Sequence, residues 1–549
     1  MCLKMVTLNP QDLLLVFGGT TILWLIGIVF WRRWLHPLSK YPGPFLYTVS
    51  SVPNVIRLLG GKHHIIIRKL HEQYGPVVRV SPNELSFCGA DAWEDIYGFR
   101  TYDQPMQKDP IWVGALNAKL DALPLTYATR EDHARQRRAF SHPFSNSSCI
   151  QQQPLIQAQI DKFIARLSEL ANVNQPVNLT NWFSFLALDI IGDLCFNAPF
   201  GCLDDGKDTK WCKNLDDAKR YGVYEMCTRR VAGPHTWLQK QLSHWLVPQR
   251  YKDGVQKHFL HSKEKVTARL KDTETDHKDF IYYVLRNNES KRLLSTTEIL
   301  LNSSLFIGAG SDTTSSVLAS GTYILVTHPH VYSTLAAEIR EACPTPESIT
   351  IANIKSLPYL SAFLSETMRL YTPITTGNLR AVPSPLPTPS SFSGKKGSPA
   401  IESATPSAGD FGGTYIDTHG PIPPGTTVSV HHYTSTRSLL NWTRPNEFLP
   451  ERWLSPGNFP NDKRHASQPF MLGPRGCIGK NLSYIEQRMV FCNLLCHFDF
   501  EFLGGSEQLG APRWGLNEAG DWKDILGFMA WEQPELWVKL VKRDFGGST

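Results

Sequence analysis

A cysteine bracketed by glycines, directly before a predicted helix, constrains this chain more than any other feature. It stands in the segment Phe470-Met-Leu-Gly473-Pro-Arg475-Gly-Cys477-Ile-Gly479. The positive end of the helix favours a thiolate on Cys477, while Gly473 and Gly479 permit unusual dihedrals and close approach of a large planar partner. The alternative is a tight turn around a structural cysteine. Because the pattern F-x-x-G-x-R-x-C-x-G fixes residue types at set spacings, chance matches are rare, and we favour a functional loop.

The segment resembles the haem-thiolate loop of the cytochrome P450 superfamily. The resemblance implies that Cys477 is the proximal iron ligand of a haem b, with Phe470 and Gly479 among the residues that bind it. No C-x-x-C-H site for covalent haem attachment is present. The implied fold is mainly α with small β-sheets, a single P450-type haem-thiolate domain behind an N-terminal transmembrane helix. We expect a membrane anchor at residues 1–36 and the catalytic domain at residues 37–549.

The longest predicted helix lies in the middle of the chain. Ser295 to Glu298 match a capping box that begins it, and Pro329 ends it after His328. Its interior is nearly free of charge, which predicts burial on most sides.

Within that helix, the run AGSDTT from Ala309 to Thr314 resembles the oxygen-activation motif of the family. The resemblance implies that the small Ala309 and Gly310 leave room for dioxygen between the helix and the haem. It also implies that Asp312 and the Thr313 hydroxyl are catalytic and relay protons. Ordinary Ser/Thr-rich helix packing is the alternative, and the cysteine loop makes the functional interpretation the better one.

Glu366 and Arg369 form an E-x-x-R pair on one predicted helix face, and Arg452 follows in the segment Pro450-Glu-Arg-Trp. Such pairs are common on exposed helices and carry little information alone. Here the surroundings are apolar, and the family resemblance implies a buried triad of Glu366, Arg369 and Arg452 that holds the cysteine loop. We assign the triad a structural role.

Basic residues in several segments are candidates for binding the haem propionates. The segment from His133 to Phe144 resembles a helix that lies near the propionates in this family. Arg137 matches the propionate-binding arginine, and His133 stands where the family often has tryptophan. Arg475 and Arg380 are further candidates, since cations suit two carboxylates on a partly buried ring edge. Standing alone, the basic cluster would be a solvated face.

Nineteen uncharged residues near the N-terminus, Leu13 to Trp31, predict a membrane span. As a helix they extend roughly 28 Å, close to the hydrocarbon thickness of a bilayer. A cleaved signal peptide fits less well, because Arg32 and Arg33 stand where a small-residue cleavage site should be; a buried core helix is the third possibility. Arg32, Arg33 and Lys40 follow the span and only Lys4 precedes it. We therefore expect a single-pass protein of the endoplasmic reticulum membrane with a cytosolic catalytic domain.

Residues 384–413 are rich in Pro, Ser and Gly, and they predict a surface loop or disordered insertion rather than a domain boundary. Elsewhere, the pattern predicts a hairpin of Val77–Val80 and Glu84–Phe87, a strand at Gly425–Val430, a helix at Lys480–Cys496 and a strand at Leu536–Lys542.

Composition excludes other classes of protein. Lys and Arg number 56 against 50 Asp and Glu, a net charge of +6 over 549 residues. That surplus is too small to indicate a nucleic-acid binder. The 11 cysteines are scattered, unlike those of a disulfide framework.

Together, the motifs predict a haem-thiolate monooxygenase that inserts one oxygen atom from O2 into a lipophilic small molecule, by hydroxylation or a related oxidation. Two segments, beginning at Gly473 and Asp189, further resemble microsomal P450s of fungal specialised metabolism, which implies a secondary-metabolite pathway. No flavin or NADPH motif is present, so electrons are expected from the membrane-bound NADPH–cytochrome P450 reductase. Lys480 is among the residues that could steer this acidic partner.

Apolar residues outline the expected substrate pocket, although each of them fits ordinary core packing equally well: Phe306, Ala309, Ile374 and Phe528. A second apolar set could dip into the membrane near a substrate entrance, or could simply be core: Trp237, Leu238, Trp245 and Leu246.

Three other functions stay open at this point. The first is a haem-thiolate isomerase or dehydratase that uses neither O2 nor reductase, against which the Asp312–Thr313 pair argues. The second is a non-catalytic haem sensor, which NADPH-dependent turnover would exclude. The third is a membrane-anchored scaffold without haem, which absorption spectroscopy would reveal.

Overall fold

A computed structural model describes residues 10–99, 105–112, 122–207, 209–272, 277–291, 293–384, 414–416, 421–502, 522 and 525–544. Helices dominate and the sheets are small, which confirms the predicted fold class. The α-helices are α1 (Pro10–Phe30), α2 (Phe45–Val49), α3 (Val52–Leu59), α4 (His63–Tyr74), α5 (Ala92–Tyr97), α6 (Arg130–Phe140), α7 (Asn146–Gln151), α8 (Gln153–Asn172), α9 (Leu179–Phe196), α10 (Cys202–Asp205), α11 (Lys210–Ala232), α12 (Trp237–Leu246), α13 (Gln249–Lys271), α14 (Phe280–Lys291), α15 (Thr296–Thr327), α16 (Pro329–Ala342), α17 (Ile351–Ile354), α18 (Pro358–Leu370), α19 (His432–Ser435), α20 (Glu451–Leu454) and α21 (Lys480–His497).

The strands are β1 (Val77–Ser81), β2 (Glu84–Phe87), β3 (Gln107–Lys108), β4 (Val177–Asn178), β5 (Arg380–Ala381), β6 (Thr414–Tyr415), β7 (Pro421–Ile422), β8 (Thr427–Val430), β9 (Phe498–Phe502), β10 (Leu526–Gly527), β11 (Trp531–Glu532) and β12 (Trp537–Lys542). The predicted hairpin, the helix α21 and the strands β8 and β12 all lie within two residues of their predicted bounds. The insertion predicted at 384–413 lies, apart from Ser384, outside the described residues.

The largest sheet has five strands in the order β1-β2-β8-β5-β3. β1 and β2 form the predicted antiparallel hairpin, and β2 then pairs in parallel with β8. At the other edge, β3 and β5 set Lys108 directly opposite Arg380. Like charges at such positions repel, so this edge needs an anion from elsewhere. A second sheet has the order β4-β12-β9, while β6–β7 and β10–β11 are separate hairpins.

The helix α15 organises the core. Its capping box is confirmed, because the Ser295 hydroxyl accepts from the Glu298 amide and the Glu298 carboxylate accepts from the Ser295 amide. The predicted burial is confirmed as well, since α15 packs against α9, α13, α18 and α21 with most of its side chains buried. At Gly321 an added Cβ would lie 2.7 Å from the Phe491 ring, so the absence of a side chain lets α15 approach α21 closely.

The predicted N-terminal span is an exposed helix. α1 continues through a π-helical turn, Trp31–Leu35, and the stretch Leu13–Leu35 has a mean hydropathy of 2.4 with none of it buried. α9 is apolar enough for the same role but is 78% buried, so it is a core helix. At the base of the anchor, Arg79 donates to the Arg32 carbonyl at 2.8 Å, and Arg32 donates to the Val49 carbonyl at 2.7 Å. These hydrogen bonds fix the candidate span to the folded domain.

Glu366, Arg369 and Arg452 meet in a buried ion network. Arg369 donates to both carboxylate oxygens of Glu366 at 2.8 Å, and Arg452 Nε donates to Glu366 Oε1 at 3.1 Å. Arg452 also forms an ion pair with the carboxylate of Asp462. The side chains of these three residues and of Asp462 are fully buried. Burial alone would raise the pKa of Glu366, but the neighbouring arginines lower it below its usual value, so the carboxyl is ionised.

The same arginines tie down the irregular segment that precedes the cysteine loop. Arg369 Nη1 donates to the carbonyls of Thr436 and Pro445 at 2.6 and 2.7 Å, and Arg452 Nη1 donates to the Thr443 carbonyl at 3.1 Å. These carbonyls are far along the chain from α18, so the network joins two distant segments through buried charge-assisted hydrogen bonds.

We expect Arg452→Ala to destabilise the fold by about 3–5 kcal/mol, because it leaves the buried carboxylates of Glu366 and Asp462 without their shared cation. Lys162→Ala is the control, since Lys162 pairs with Asp204 at the surface and should change stability by less than about 1 kcal/mol. Chemical denaturation of the full chain in detergent micelles measures both changes. Equal effects of the two substitutions would contradict a structural role for the network.

A group of buried histidines lies between α4 and the end of β8. His63 Nε2 is 2.7 Å from Asn54 Oδ1, and His71 Nε2 is 2.8 Å from Ser86 Oγ. Burial lowers the pKa of His63 to about 3 and that of His71 to about 4. Burial also lowers the pKa of His432 to about 3 and that of His431 well below its usual value. All four rings are therefore neutral at physiological pH.

Because these histidines have lower pKa values in the folded than in the unfolded chain, the unfolded chain binds more protons below pH 6.5. We expect the free energy of unfolding to fall as the pH drops from 6.5 toward 4, by about 1.4 kcal/mol per pH unit for each such histidine. His71→Asn should reduce this slope by about 1.4 kcal/mol per pH unit, because the unfolded variant binds one proton fewer. Denaturation at a series of pH values measures the slope. An unchanged slope in the variant would refute the assignment.

Candidate active site

A cavity of about 280 Å³ separates α15 from the cysteine loop. Its walls come from α6, α15, the loop before α21, and α21 itself. The predicted site residues that line it are His133, Arg137, Ala309, Gly310, Thr313, Phe470, Arg475, Cys477 and Gly479. Asp312 and Arg380 do not line it. The fold thus brings most of the predicted site residues to one cavity, although they are spread over more than three hundred residues of the chain.

The cysteine loop is shaped by a tight turn. The Cys477 amide donates to the Phe470 carbonyl at 2.7 Å, and a short 3₁₀ turn, Gly473–Arg475, lies between them. Gly473 has a φ of +66°, and a Cβ there would lie 2.0 Å from the Tyr97 carbonyl oxygen, so only glycine fits. The expectation of an unusual backbone dihedral at Gly479 is wrong, because its φ of −81° is one that any residue can adopt. Gly479 instead precedes the first residue of α21, and a Cβ there would lie 3.9 Å from the Cys477 sulfur, an ordinary van der Waals distance.

The Cys477 sulfur faces the cavity, while protein atoms surround it on its other sides. Burial by those atoms raises the pKa of the thiol, and the Gly479 amide, Arg137 and Lys480 lower it to a smaller extent. The helix end therefore acts in the expected direction, but it does not by itself produce a thiolate. A bound metal cation deprotonates a coordinating thiol outright, so the thiolate form belongs to the metal-bound protein.

Positive charge collects along one edge of the cavity. Arg137 donates to the Gly476 carbonyl at 2.6 Å, and Arg475 donates to the Ala128 carbonyl at 2.9 Å. Burial lowers the pKa of Arg475 to about 10, with a further contribution from Arg380, and burial lowers that of His133 to about 4. Among the described residues, no carboxylate pairs with Arg137, Arg475 or Arg380.

Lys108, which no sequence motif predicted as a site residue, lines the same edge. Burial, Arg380 and Arg475 together lower its pKa well below the usual value. Arg380 lies behind Lys108 with its guanidinium 4.9 Å from the centre of the Tyr97 ring, so it contributes charge without lining the cavity. No local motif surrounds Lys108, and only the pairing of β3 with β5 brings it here.

These features fit a haem. Buried cations without carboxylate partners are costly, and the two propionates of the haem would compensate them. The cavity that Cys477 lines would give a bound haem access to the sulfur of this residue. The residues that would hold the haem are Cys477 as iron ligand, with Lys108, Arg137, Arg475 and His133 at the propionate edge.

The opposite wall is formed by α15. Ala309, Gly310 and Thr313 line the cavity, and the Thr313 hydroxyl donates to the Ala309 carbonyl at 2.7 Å. That bond leaves the Thr313 oxygen free to accept a hydrogen bond in the cavity. A Cβ at Gly310 would lie 2.9 Å from the end of the Ile191 side chain, so α15 packs closely against α9 at this glycine.

Asp312 turns away from the cavity toward α11. Its Oδ1 accepts from Lys219 Nζ at 2.9 Å, and Lys219 also pairs with Asp216 at 2.6 Å. Burial raises the pKa of Asp312, and Lys219 offsets part of that rise. The predicted proton relay would thus start from an ion pair between Asp312 and Lys219 that does not line the cavity.

Of the predicted substrate-pocket residues, Phe306, Ala309 and Ile374 line the cavity. Phe528 does not, because its ring packs under the Arg220 guanidinium at 3.6 Å. The side chains of Thr314 and Glu486 meet at 3.1 Å on the cavity wall, a contact that no sequence motif predicted. Glu486 is followed by Gln487 and Arg488, so it does not stand out in the sequence as Asp312 does in its nearly uncharged helix.

A family model described as Cytochrome P450 matches residues 41–397 and 416–516. The cytochrome P450 monooxygenase aba2 of Botryotinia fuckeliana is 41% identical, over 94% of this chain and 92% of the relative. The cytochrome P450 monooxygenase ABA2 of Pyricularia oryzae is 38% identical, over 92% of this chain and 92% of the relative. The averantin hydroxylase of Dothistroma septosporum is 32% identical, over 96% of this chain and 90% of the relative.

These matches cover nearly all of the chain, including both walls of the cavity and the cysteine loop. They agree with the haem-binding features that the geometry indicates independently. This chain therefore belongs to the cytochrome P450 family, whose members bind haem through a cysteine thiolate.

Proposed function

We propose that this chain hydroxylates a lipophilic secondary metabolite of a fungus with dioxygen. The observation that carries the proposal is that Cys477 and four residues of the AGSDTT segment of α15 line one cavity: Ala309, Gly310, Thr313 and Thr314. The relatives support it, since they are fungal monooxygenases and one is named averantin hydroxylase. Residues 1–36 would anchor the protein, and residues 37–549 would form its catalytic domain.

When bound, the haem supplies the chemistry that activates dioxygen. The protein residues position and protect that chemistry. Cys477 would hold the iron through a strongly donating thiolate. Phe306 and Ile374 give the cavity apolar surface, which favours a lipophilic substrate and excludes water. Thr313, whose hydroxyl donates to the Ala309 carbonyl, is placed to hold a proton for transfer into the cavity.

Electrons must come from another protein, and we propose the NADPH–cytochrome P450 reductase. Lys480 begins α21 beside the cysteine loop and is exposed. An exposed cation close to the iron ligand would steer an acidic partner to the side of the protein where electron transfer is shortest.

The same proposal places the chain in the endoplasmic reticulum membrane with its catalytic domain in the cytosol. The anchor α1 has the required length and hydropathy. A second apolar surface lies on α12, where Trp237 is 73% and Trp245 is 78% exposed, so the interpretation of these residues as core is wrong. Exposed tryptophans favour the interface of a bilayer, which supports a second membrane contact at α12.

We expect Cys477→Ala to abolish product formation and the red-shifted Soret band of the reduced carbon-monoxide complex, because the iron loses its thiolate ligand. The measurement is co-expression with the reductase followed by metabolite profiling and difference spectroscopy. Cys492→Ala is the matched control, since Cys492 is buried in α21 away from the cavity and should keep the band.

Other outcomes would favour the alternative functions. A product formed without NADPH or O2 would indicate an isomerase or dehydratase. A spectral response to ligand without any turnover would indicate a sensor. A colourless protein after haem supplementation would contradict the proposal altogether.

We expect Thr313→Ala to uncouple NADPH consumption from product formation, because the hydroxyl next to the cavity is lost. Product formed per NADPH should fall by up to about a hundredfold, the lower end of the effect of a positioned proton donor, with hydrogen peroxide rising in compensation. Assays of NADPH, peroxide and product measure this. Tight coupling in the variant would refute the role of Thr313.

A further inference from the structure

A tight turn at residues 124–128, just before α6, forms part of the cavity wall. Two amides of this 124–128 turn donate to the Pro124 carbonyl, at 2.8 and 3.0 Å, and its residues Leu125 and Thr126 line the cavity. Backbone groups that a turn cannot pair internally need hydrogen-bond partners from other parts of the protein. The position of this turn therefore depends on the side chains that supply those partners.

Asn302 on α15 supplies one of these partners. Its Oδ1 accepts from the Leu125 amide at 2.7 Å, and its Nδ2 donates to Gln136 Oε1 at 3.0 Å and to the Glu298 carbonyl at 2.8 Å. Asn302 is fully buried, as is Gln136 on α6. A buried amide side chain that uses both its oxygen and its nitrogen in this way has one favourable orientation, so it fixes the 124–128 turn relative to α15.

Gln136 supports the chain at the start of the same turn. Its Nε2 donates to the Leu123 carbonyl at 2.8 Å and to Glu298 Oε1 at 3.1 Å. Glu298, which completes the capping box of α15, also accepts from Arg135 Nη1 at 3.0 Å. The 124–128 turn is therefore held by α6 and α15 together, through a buried network in which each of these side chains has partners.

The other side of the turn contacts the cysteine loop. Arg475, two residues before Cys477, donates from Nη2 to the Ala128 carbonyl at 2.9 Å, and it lines the cavity. A guanidinium is a planar group whose donors have fixed directions, so anchoring one nitrogen sets where the other N–H groups point. The position of the Ala128 carbonyl thus decides which way Arg475 presents its remaining donors to an anion in the cavity.

We propose that Asn302 is a positioning residue for haem binding. It holds the 124–128 turn, and the Ala128 carbonyl of that turn orients Arg475 toward a haem propionate. Asn302 does not line the cavity, so it acts through the turn and not by contact with the haem. The inference concerns how firmly the haem is held, and it does not depend on the reaction that the haem-loaded protein catalyses.

Transfer of haem from the full chain in detergent micelles to excess apomyoglobin measures how firmly the haem is held. Asn302→Leu keeps a side chain of similar size but removes its hydrogen bonds, so Arg475 loses its fixed orientation. We expect haem transfer to become about tenfold faster, because a hydrogen bond to a charged group is weakened. The reduction potential should become more negative, because a less well-placed cation stabilises the reduced haem less. An unchanged transfer rate and potential would overturn the proposal.

Asn54→Leu is the matched control. Asn54 is as fully buried as Asn302, and its side chain also makes three hydrogen bonds, to the Val80 carbonyl, Ser81 Oγ and His63 Nε2. Neither Asn54 nor these partners line the cavity. Chemical denaturation should show a similar loss of stability for both variants, while Asn54→Leu should keep the natural transfer rate and potential. Equal effects of the two substitutions on haem transfer would contradict a positioning role.

A double-mutant cycle tests whether Asn302 acts through Arg475. Haem transfer should be faster in Arg475→Ala, and adding Asn302→Leu should then change it by less than about twofold, because the group that Asn302 positions is already absent. Effects that simply multiply would overturn the proposal.

Gln136→Met gives a second test if Asn302→Leu fails to bind haem. It removes the hydrogen bonds of Gln136 to the Leu123 carbonyl and to Asn302, so a smaller rise in the transfer rate is expected, again absent in the Arg475→Ala background. No rise would overturn the proposal. None of these results affects the monooxygenase assignment, which the Cys477→Ala comparison decides.

Discussion

Buried charge, paired in one place and unpaired in another, is the constraint on which this structure depends. In the network of Glu366, Arg369 and Arg452, every charge has a partner and no side chain reaches solvent. Such a network is costly to assemble, and losing one member is costlier still. It can therefore hold the irregular segment before the cysteine loop in a single arrangement, where a set of apolar contacts would allow several.

The cavity shows the opposite arrangement. Lys108, Arg137 and Arg475 are partly or wholly desolvated, and no carboxylate among the described residues offsets them. Such an excess of buried positive charge is costly unless an anion is paired with it. The two haem propionates would supply that negative charge. The pairing of buried charge thus distinguishes the network that stabilises the fold from the residues that would bind the cofactor.

The two acids next to α15 follow the same logic. Asp312 is matched by Lys219, and its carboxylate belongs to the contact between α15 and α11. Glu486 has no matching cation, so burial keeps it protonated beside the cavity. The motif in α15 drew attention to Asp312 because the family resemblance covers that segment. Nothing in the linear pattern around Glu486 indicated that it would meet Thr314 across two crossing helices.

The sequence by itself determined the family and the helical class, and it predicted Cys477 as the iron ligand, because these depend on short segments: the loop around Cys477, the AGSDTT run, and the uncharged stretch before Arg32. It also predicted the capping box of α15 and the β1–β2 hairpin, which are local in the chain. Tertiary structure alone decided which charges meet. Lys108 reaches the cavity only through strand pairing, and Asp312 leaves it because α11 offers a lysine. The physical reason is that electrostatic partners are chosen by distance in space, which residue spacing along the chain does not encode.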